Sequence, residues 1–258
     1  MKKILILVIF SLILVFNVVG AENGKREVKM AYLDVPPHIY QDEKTGELKG
    51  AAYDLLEKYI APEINVKFVW DTQPTVVPRE LELLDTQKDY AAALLVYTPE
   101  RAQKVIFPET PYMPSKPALA LLKDYKLEKI NTIDDIAGLV IGYGSQATIT
   151  PFMKSDKIKF EMVSAANFTE INLKKLLAKR IDAVYMPGNT SLLYYMRQLN
   201  FDQEFKLINL PEKPSILNIA FSQGLKDVAD SYNKAYKKLN GEKLYITILS
   251  KYIDTSKL

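Results

Sequence analysis

VYTPERAQKVIFPETPYM, residues 96–113, follows the apolar run YAAALLVY (90–97), which has the length and composition of a buried strand. Thr98 is a good helix N-cap and Pro99 suits the first helical position, so a helix is expected to begin here. A buried strand running directly into a helix is the unit from which α/β sheets are built, and its recurrence along the chain decides the fold class. One residue is out of place. A capping box would put Glu or Gln at position 101, whereas Arg101 opposes the helix dipole by about 0.3–1 kcal/mol. A guanidinium at that position offers a planar fork of donors for a carboxylate or phosphate. An ordinary surface arginine paired with Glu100 or Glu109 is the competing reading.

The same alternation extends in both directions. Upstream, EVKMAYL (27–33) reads as a strand broken by Asp34-Val35-Pro36-Pro37, and AAYDLLEKYIA (51–61) has helical apolar spacing at Ala52, Leu55, Leu56, Tyr59 and Ile60. NVKFVW (65–70) alternates as a strand, and RELELLDTQ (79–87) is helical. Downstream, strands are expected at 117–123, 139–144, 159–165, 181–186, 206–211 and 215–222. Helices are expected at 132–138, at 168–180, at 189–199 with Asn189 or Thr190 as cap, and through the last thirty or so residues. This order implies α/β architecture with largely parallel sheets.

The chain has 258 residues and no cysteine, which excludes disulfides, thiol catalysis and a lipid-modified cysteine. Lys2 and Lys3, the apolar run 4–19 and the small pair Gly20-Ala21 form the pattern of a cleavable secretory signal peptide over residues 1–21. A retained anchor is the alternative, since the run is near spanning length. Export without lipidation fits a Gram-negative periplasm. Net charge is +3, and only +1 without Lys2 and Lys3, so nothing calls for nucleic acid or an anionic membrane as a partner. His38 is the sole histidine, so metal sites of the His or Cys kind are excluded by counting, and neither a metal nor a cofactor is expected.

Five phrases in order resemble one family: PPHIYQDEKTGELKGAAYDLL (36–56), TPERAQKVIFPETPYM (98–113), IDDIAGLVIGYGSQAT (133–148), LLAKRIDAV (176–184) and LYITILSKY (244–252). Over roughly residues 27–253 the chain resembles the polar-amino-acid type of periplasmic solute-binding protein, extracellular solute-binding family 3, with the type II periplasmic binding fold. The resemblance implies two Rossmann-like lobes joined by two hinge strands, a Venus-flytrap that closes on its ligand. Lobe one would be 25–113 plus 215–258 and lobe two 114–214, with crossings near Met113–Lys116 and Lys213–Ser215, where Pro114, Pro117 and Pro214 lie. The implied partners are a small-molecule solute and an inner-membrane permease or sensor, with the protein itself a monomer.

The resemblance also assigns candidate ligand-binding residues. Arg101 matches the family's ligand-carboxylate arginine, and Ala147 and Thr148 match the small hydroxyl residues of its second-lobe loop. His38 and Tyr40 lie in the loop after the first strand, with His38 expected to decorate the cleft rim. Trp70 is expected near the cleft lip, and Tyr143 and Tyr185 near lobe-two strand ends, where crevice ligands bind. Three positions depart from the pattern. Pro187 stands where an Asp normally meets the ligand's α-amine, and Leu94 and Val96 stand where Ser or Thr is usual. Asp182 is the nearest substitute but falls inside a strand. An ammonium trapped without a counter-charge costs several kcal/mol, on the order of a buried unpaired ion, so a carboxylate-bearing solute without an α-amine is favoured. Enzymes on the same fold, such as dehydratases of prephenate-like acids, need a buried general acid that no expected cleft position supplies. Delivery to an ABC transporter is the leading expectation, with a sensor module as the alternative.

Overall fold

The computed structural model describes residues 24–145, 149–165 and 167–258, and they form two sheets of five strands, each flanked by helices. The first sheet has the order β4-β1-β5-β12-β6. Its strands are β1 (Arg26–Ala31), β4 (Val66–Trp70), β5 (Tyr90–Val96), β6 (Met113–Ser115) and β12 (Ser215–Phe221). The second sheet, β11-β7-β10-β8-β9, contains β7 (Ala118–Leu122), β8 (Val140–Gly144), β9 (Lys159–Val163), β10 (Ala183–Met186) and β11 (Phe205–Asn209). A small hairpin, β2 (Tyr40–Gln41) with β3 (Leu48–Lys49), stands apart.

Neither sheet is largely parallel, contrary to expectation. β1 is parallel to both β4 and β5, but β12 runs antiparallel to β5 and to β6. Likewise β8 is parallel to β9 and β10, while β7 is antiparallel to β10 and β11. Parallel neighbours require a crossover, usually helical. β7 and β12 instead enter their sheets directly from the other unit, so no crossover sets their direction. The chain passes outward along β6 and back along β12, and these two strands pair from Ser115↔Ser215 to Met113↔Leu217.

Between β3 and β4 the helix is continuous but not uniform. α1 (Ala51–Leu55) passes into a π-helical turn, Leu56–Ile60, and then into α2 (Ala61–Ile64), ending at Asn65 in the left-handed region. Pro62 explains the wide turn, because it lacks an N–H and its ring crowds the preceding carbonyls. The expected apolar face is buried through Ala52, Leu55, Leu56 and Ile60. It packs with α6 (Lys226–Lys238) and α7 (Gly241–Leu249), which contribute Tyr232, Tyr236, Tyr245 and Leu249 to the same core.

α3 (Val77–Thr86) covers the other side of the first sheet and packs Leu84 against Ala92, Leu95 and Ala220. In the second unit, α4 (Phe168–Leu177) and α5 (Asn189–Gln198) pack Leu173, Leu192 and Met196 against Val184. α5 has a second allegiance, for its Leu193 and Tyr194 belong to the core of the first unit. A helix buried on nearly all sides is one sandwiched between layers. Its N-cap is Gly188, with no side-chain cap, rather than the Asn189 or Thr190 expected.

Candidate functional site

β5 carries the chain to Val96, and the turn after it sets Arg101. Thr98 caps this turn as expected: Arg101 N donates to Thr98 Oγ1 at 3.2 Å, and Ala102 N donates to Thr98 O at 3.0 Å. The helix itself does not follow. Only one 3₁₀ turn forms, Arg101–Gln103, before Phe221 pairs with Ile106. A single turn has almost no macrodipole, so the expected conflict between Arg101 and a helix start disappears, along with any contribution of that start to anion binding.

Arg101 is half-buried, and its Nη1 donates to Val96 O at 2.8 Å. It forms no ion pair among the described residues, and Glu109 is taken by Lys237 at 2.8 Å. Leu94 is buried in the core of the first unit and Val96 is partly buried, and neither supplies a hydroxyl. One further titratable group bears on this region. Glu80, in the first turn of α3, is 0% exposed, and neither of its carboxyl oxygens has a hydrogen-bond partner. Burial pushes its pKa up to about 8, against the opposing pull of Arg101's positive charge. Sequence reasoning missed Glu80. The available signal was its position one turn before Leu83 and Leu84, a polar residue on the core-facing stripe.

The loop of His38 and Tyr40 corrects a second expectation. His38 is 1% exposed rather than a rim residue. Its Nδ1 lies 2.6 Å from Tyr245 Oη of α7, and its Nε2 lies 2.9 Å from Thr190 Oγ1 of α5. Burial pushes the ring's pKa down to about 4, so at neutral pH it is uncharged, with one nitrogen donating and the other accepting. Ser191 Oγ donates to Pro36 O at 2.8 Å, and the Tyr40 ring meets Tyr194 at 5.3 Å between centroids. The loop therefore does face the second unit, but its partners there are the first residues of α5. Gly50 makes the close packing feasible: its φ is 125°, and a Cβ there would overlap the His38 carbonyl.

The remaining candidates are dispersed. Trp70 Nε1 donates to Glu57 Oε1 at 2.5 Å, and its ring lines a surface groove with Tyr53, Lys58 and Tyr252. Tyr143 and Tyr185 lie next to the ends of β8 and β10, and both are fully buried in the core of the second unit with ring centroids 4.7 Å apart. Tyr185 Oη is held by Thr150, accepting from its N at 3.1 Å and donating to its Oγ1 at 3.0 Å. Thr150 Oγ1 in turn donates to Glu212 Oε2 at 2.5 Å, and Phe152 N donates to Glu212 Oε1 at 2.9 Å. Neither Thr150 nor Glu212 stood out in the sequence. Asp182 is committed to the strand, accepting from Val140 N at 2.8 Å. Ala147 and Thr148 lie outside the described residues.

Among the described residues no cluster of His, Cys, Asp or Glu could hold a metal ion, and no helix is long and apolar enough to cross a membrane. Solved structures share the fold across most of the chain. An ancestral cationic amino acid solute-binding protein aligns with a TM-score of 0.71 at 22% identity, covering 88% of this chain and 96% of its own. The periplasmic VFT2 domain of Bordetella pertussis BvgS gives 0.66 at 16%, covering 88% and 93%. A structure from work on glutathione import through GshT and the cystine ABC importer TcyBC of Streptococcus mutans gives 0.66 at 22%, covering 91% and 100%. No protein of curated function matches the sequence. The two-unit mixed α/β architecture and the sequence agree on the assignment: residues 28–255 match the model of the bacterial extracellular solute-binding proteins, family 3, and the chain belongs to that family.

Proposed function

We propose that this solute-binding protein holds a small carboxylate-bearing solute between two lobes, 25–113 plus 215–258 and 114–214, and delivers it to an ABC permease. The observation that carries the reading is Arg101, a half-buried guanidinium with no ion-pair partner among the described residues. A guanidinium away from bulk water favours an anion strongly, and its fork matches a carboxylate in two hydrogen bonds. Leu94 and Val96 offer no hydroxyl to a ligand, and Pro187 offers no carboxylate to an α-ammonium. The preferred ligand is therefore an acid whose remaining surface is weakly polar. The paired β6 and β12 would serve as the hinge, with ligand contacts to both lobes shifting the open–closed equilibrium. Cleavage after Ala21 would release the protein on the outer side of the cytoplasmic membrane.

A thermal-shift screen of dicarboxylates, keto acids, aromatic acids and the standard amino acids tests this. Solved relatives described as bound to arginine or glutamine make the amino acids the natural competitors. A ligand at 100 times its dissociation constant stabilises the fold by about 2.7 kcal/mol, a melting shift of roughly 5–11 °C for a chain of this size. The expected result is a shift with acids that Arg101→Ala abolishes. Shifts confined to standard amino acids would overturn the reading of Pro187, and retained acid binding in the Arg101 variant would overturn the role of Arg101.

A further inference from the structure

Glu80 has a position that packing alone does not account for. It lies on the inner face of α3 with Leu83 and Leu84, wholly buried, and no donor reaches either carboxyl oxygen. α3 packs on β5, the strand that leads to Arg101. The two side chains are beyond the 4.0 Å of an ion pair, and the positive charge of Arg101 opposes the upward push that burial gives the Glu80 pKa. Several charged or titratable groups around α3 are engaged elsewhere. Arg79 pairs with Glu82, Lys104 pairs with Asp85, and Tyr90 donates to Asp71. A buried acid without a donor and a half-buried cation without a counter-ion therefore form one electrostatic unit.

We propose that Glu80 is a positioning residue for Arg101 and makes anion binding there proton-linked. While Glu80 carries its proton, the guanidinium's charge is free for an anionic ligand. When Glu80 ionises, it becomes the counter-ion of Arg101 and competes with that ligand. The proposal rests on the reading of Arg101 as an anion site. Burial supplies the physical drive, since an ionised carboxylate without donors is strongly disfavoured in the interior. Linkage supplies the consequence. An anion on Arg101 cancels the positive charge that favours ionised Glu80, so binding draws in a proton. If only the protonated form binds, affinity falls up to about tenfold per pH unit above the Glu80 midpoint.

Two measurements on the chain from residue 22 onward test it. The first is a carbon-13 titration of the Glu80 side-chain carboxyl, identified by its loss in Glu80→Gln, in the wild type and in Arg101→Met. The expected result is a midpoint well above those of the surface glutamates, moving further up in Arg101→Met. The second is calorimetry with succinate and sulfate as probes, between pH 6.5 and 9.5. Wild-type affinity should weaken with rising pH, with proton uptake on binding, and Glu80→Gln should show a flat profile. Titration of Glu80 alongside the surface glutamates, a midpoint unmoved in Arg101→Met, or equal pH profiles in wild type and Glu80→Gln would each overturn the proposal. Absence of binding by both probes at every pH would instead overturn the anion-site reading, and the linkage with it. The Arg101→Met titration leaves Glu80 in place, so it reports the coupling even if Glu80→Gln folds poorly.

Discussion

His38 and Glu80 are both fully buried titratable side chains of the first sheet's unit, held in opposite ways. His38 has a hydroxyl against each ring nitrogen, Tyr245 on one side and Thr190 on the other. Glu80 has no partner on either oxygen. Burial drives both toward neutrality, lowering the pKa of the imidazole and raising that of the carboxyl. The difference lies in hydrogen bonding. A neutral imidazole with both nitrogens bonded is a satisfied structural group, whereas a buried acid with unmet oxygens retains a cost that a change of partner or proton can relieve. The satisfied group bridges the two units, and the unsatisfied one is influenced by the charge of the candidate ligand arginine.

That contrast predicts pH responses of opposite sign. The largest concerns Glu80. Its folded pKa is raised, so its contribution to stability is full below the ordinary carboxyl range and is lost as pH rises toward about 8. Urea unfolding at pH 5 and pH 9 should show Glu80→Gln gaining on the wild type by about 3–5 kcal/mol across that interval, the size implied by the shift. A constant difference between the two proteins would mean that Glu80 does not titrate in this window. His38 should act the other way. Its folded pKa is lowered, so its contribution is full above about 6.5 and is lost as pH falls toward about 4. Thermal melts should lose about 3 kcal/mol, or roughly 6–12 °C, between pH 7 and pH 4. In His38→Gln that slope should be largely absent, and a wild-type slope surviving the replacement would assign it to other groups.

The smallest effect tests the junction itself. Ser191→Ala removes the hydroxyl that bonds Pro36 O and should cost about 0.5–1.5 kcal/mol by urea unfolding. Thr190→Val should cost more, about 1–3 kcal/mol, because it leaves His38 Nε2 buried and unsatisfied. Equal costs for the two would remove the distinction between losing a hydrogen bond and orphaning a buried group.

Much of the fold could be read from local pattern. The apolar run at Tyr90–Val96, the alternation at Val66–Trp70 and the spacing at Ala52, Leu55 and Leu56 all appear in the structure where expected. The site was less legible. The helix expected after Pro99 stops at Gln103, because Ile106 is drawn into pairing with Phe221, a residue more than a hundred positions away. His38 looks like an exposed loop residue until α5 arrives from the second unit to cover it. Glu80 looks like an ordinary charged helix residue until α3 docks on β5.

The strands and the longer helices, the absence of thiol chemistry and the presence of an arginine after β5 were determined by the sequence itself, because periodicity and composition act over a few residues. Tertiary structure alone decided that both sheets are half antiparallel, that His38 joins two units and that Glu80 lies buried near Arg101. Each of these depends on which distant segment excludes water from a given side chain. Burial and hydrogen-bond partners are supplied by the whole fold, and they set protonation state and availability for a ligand.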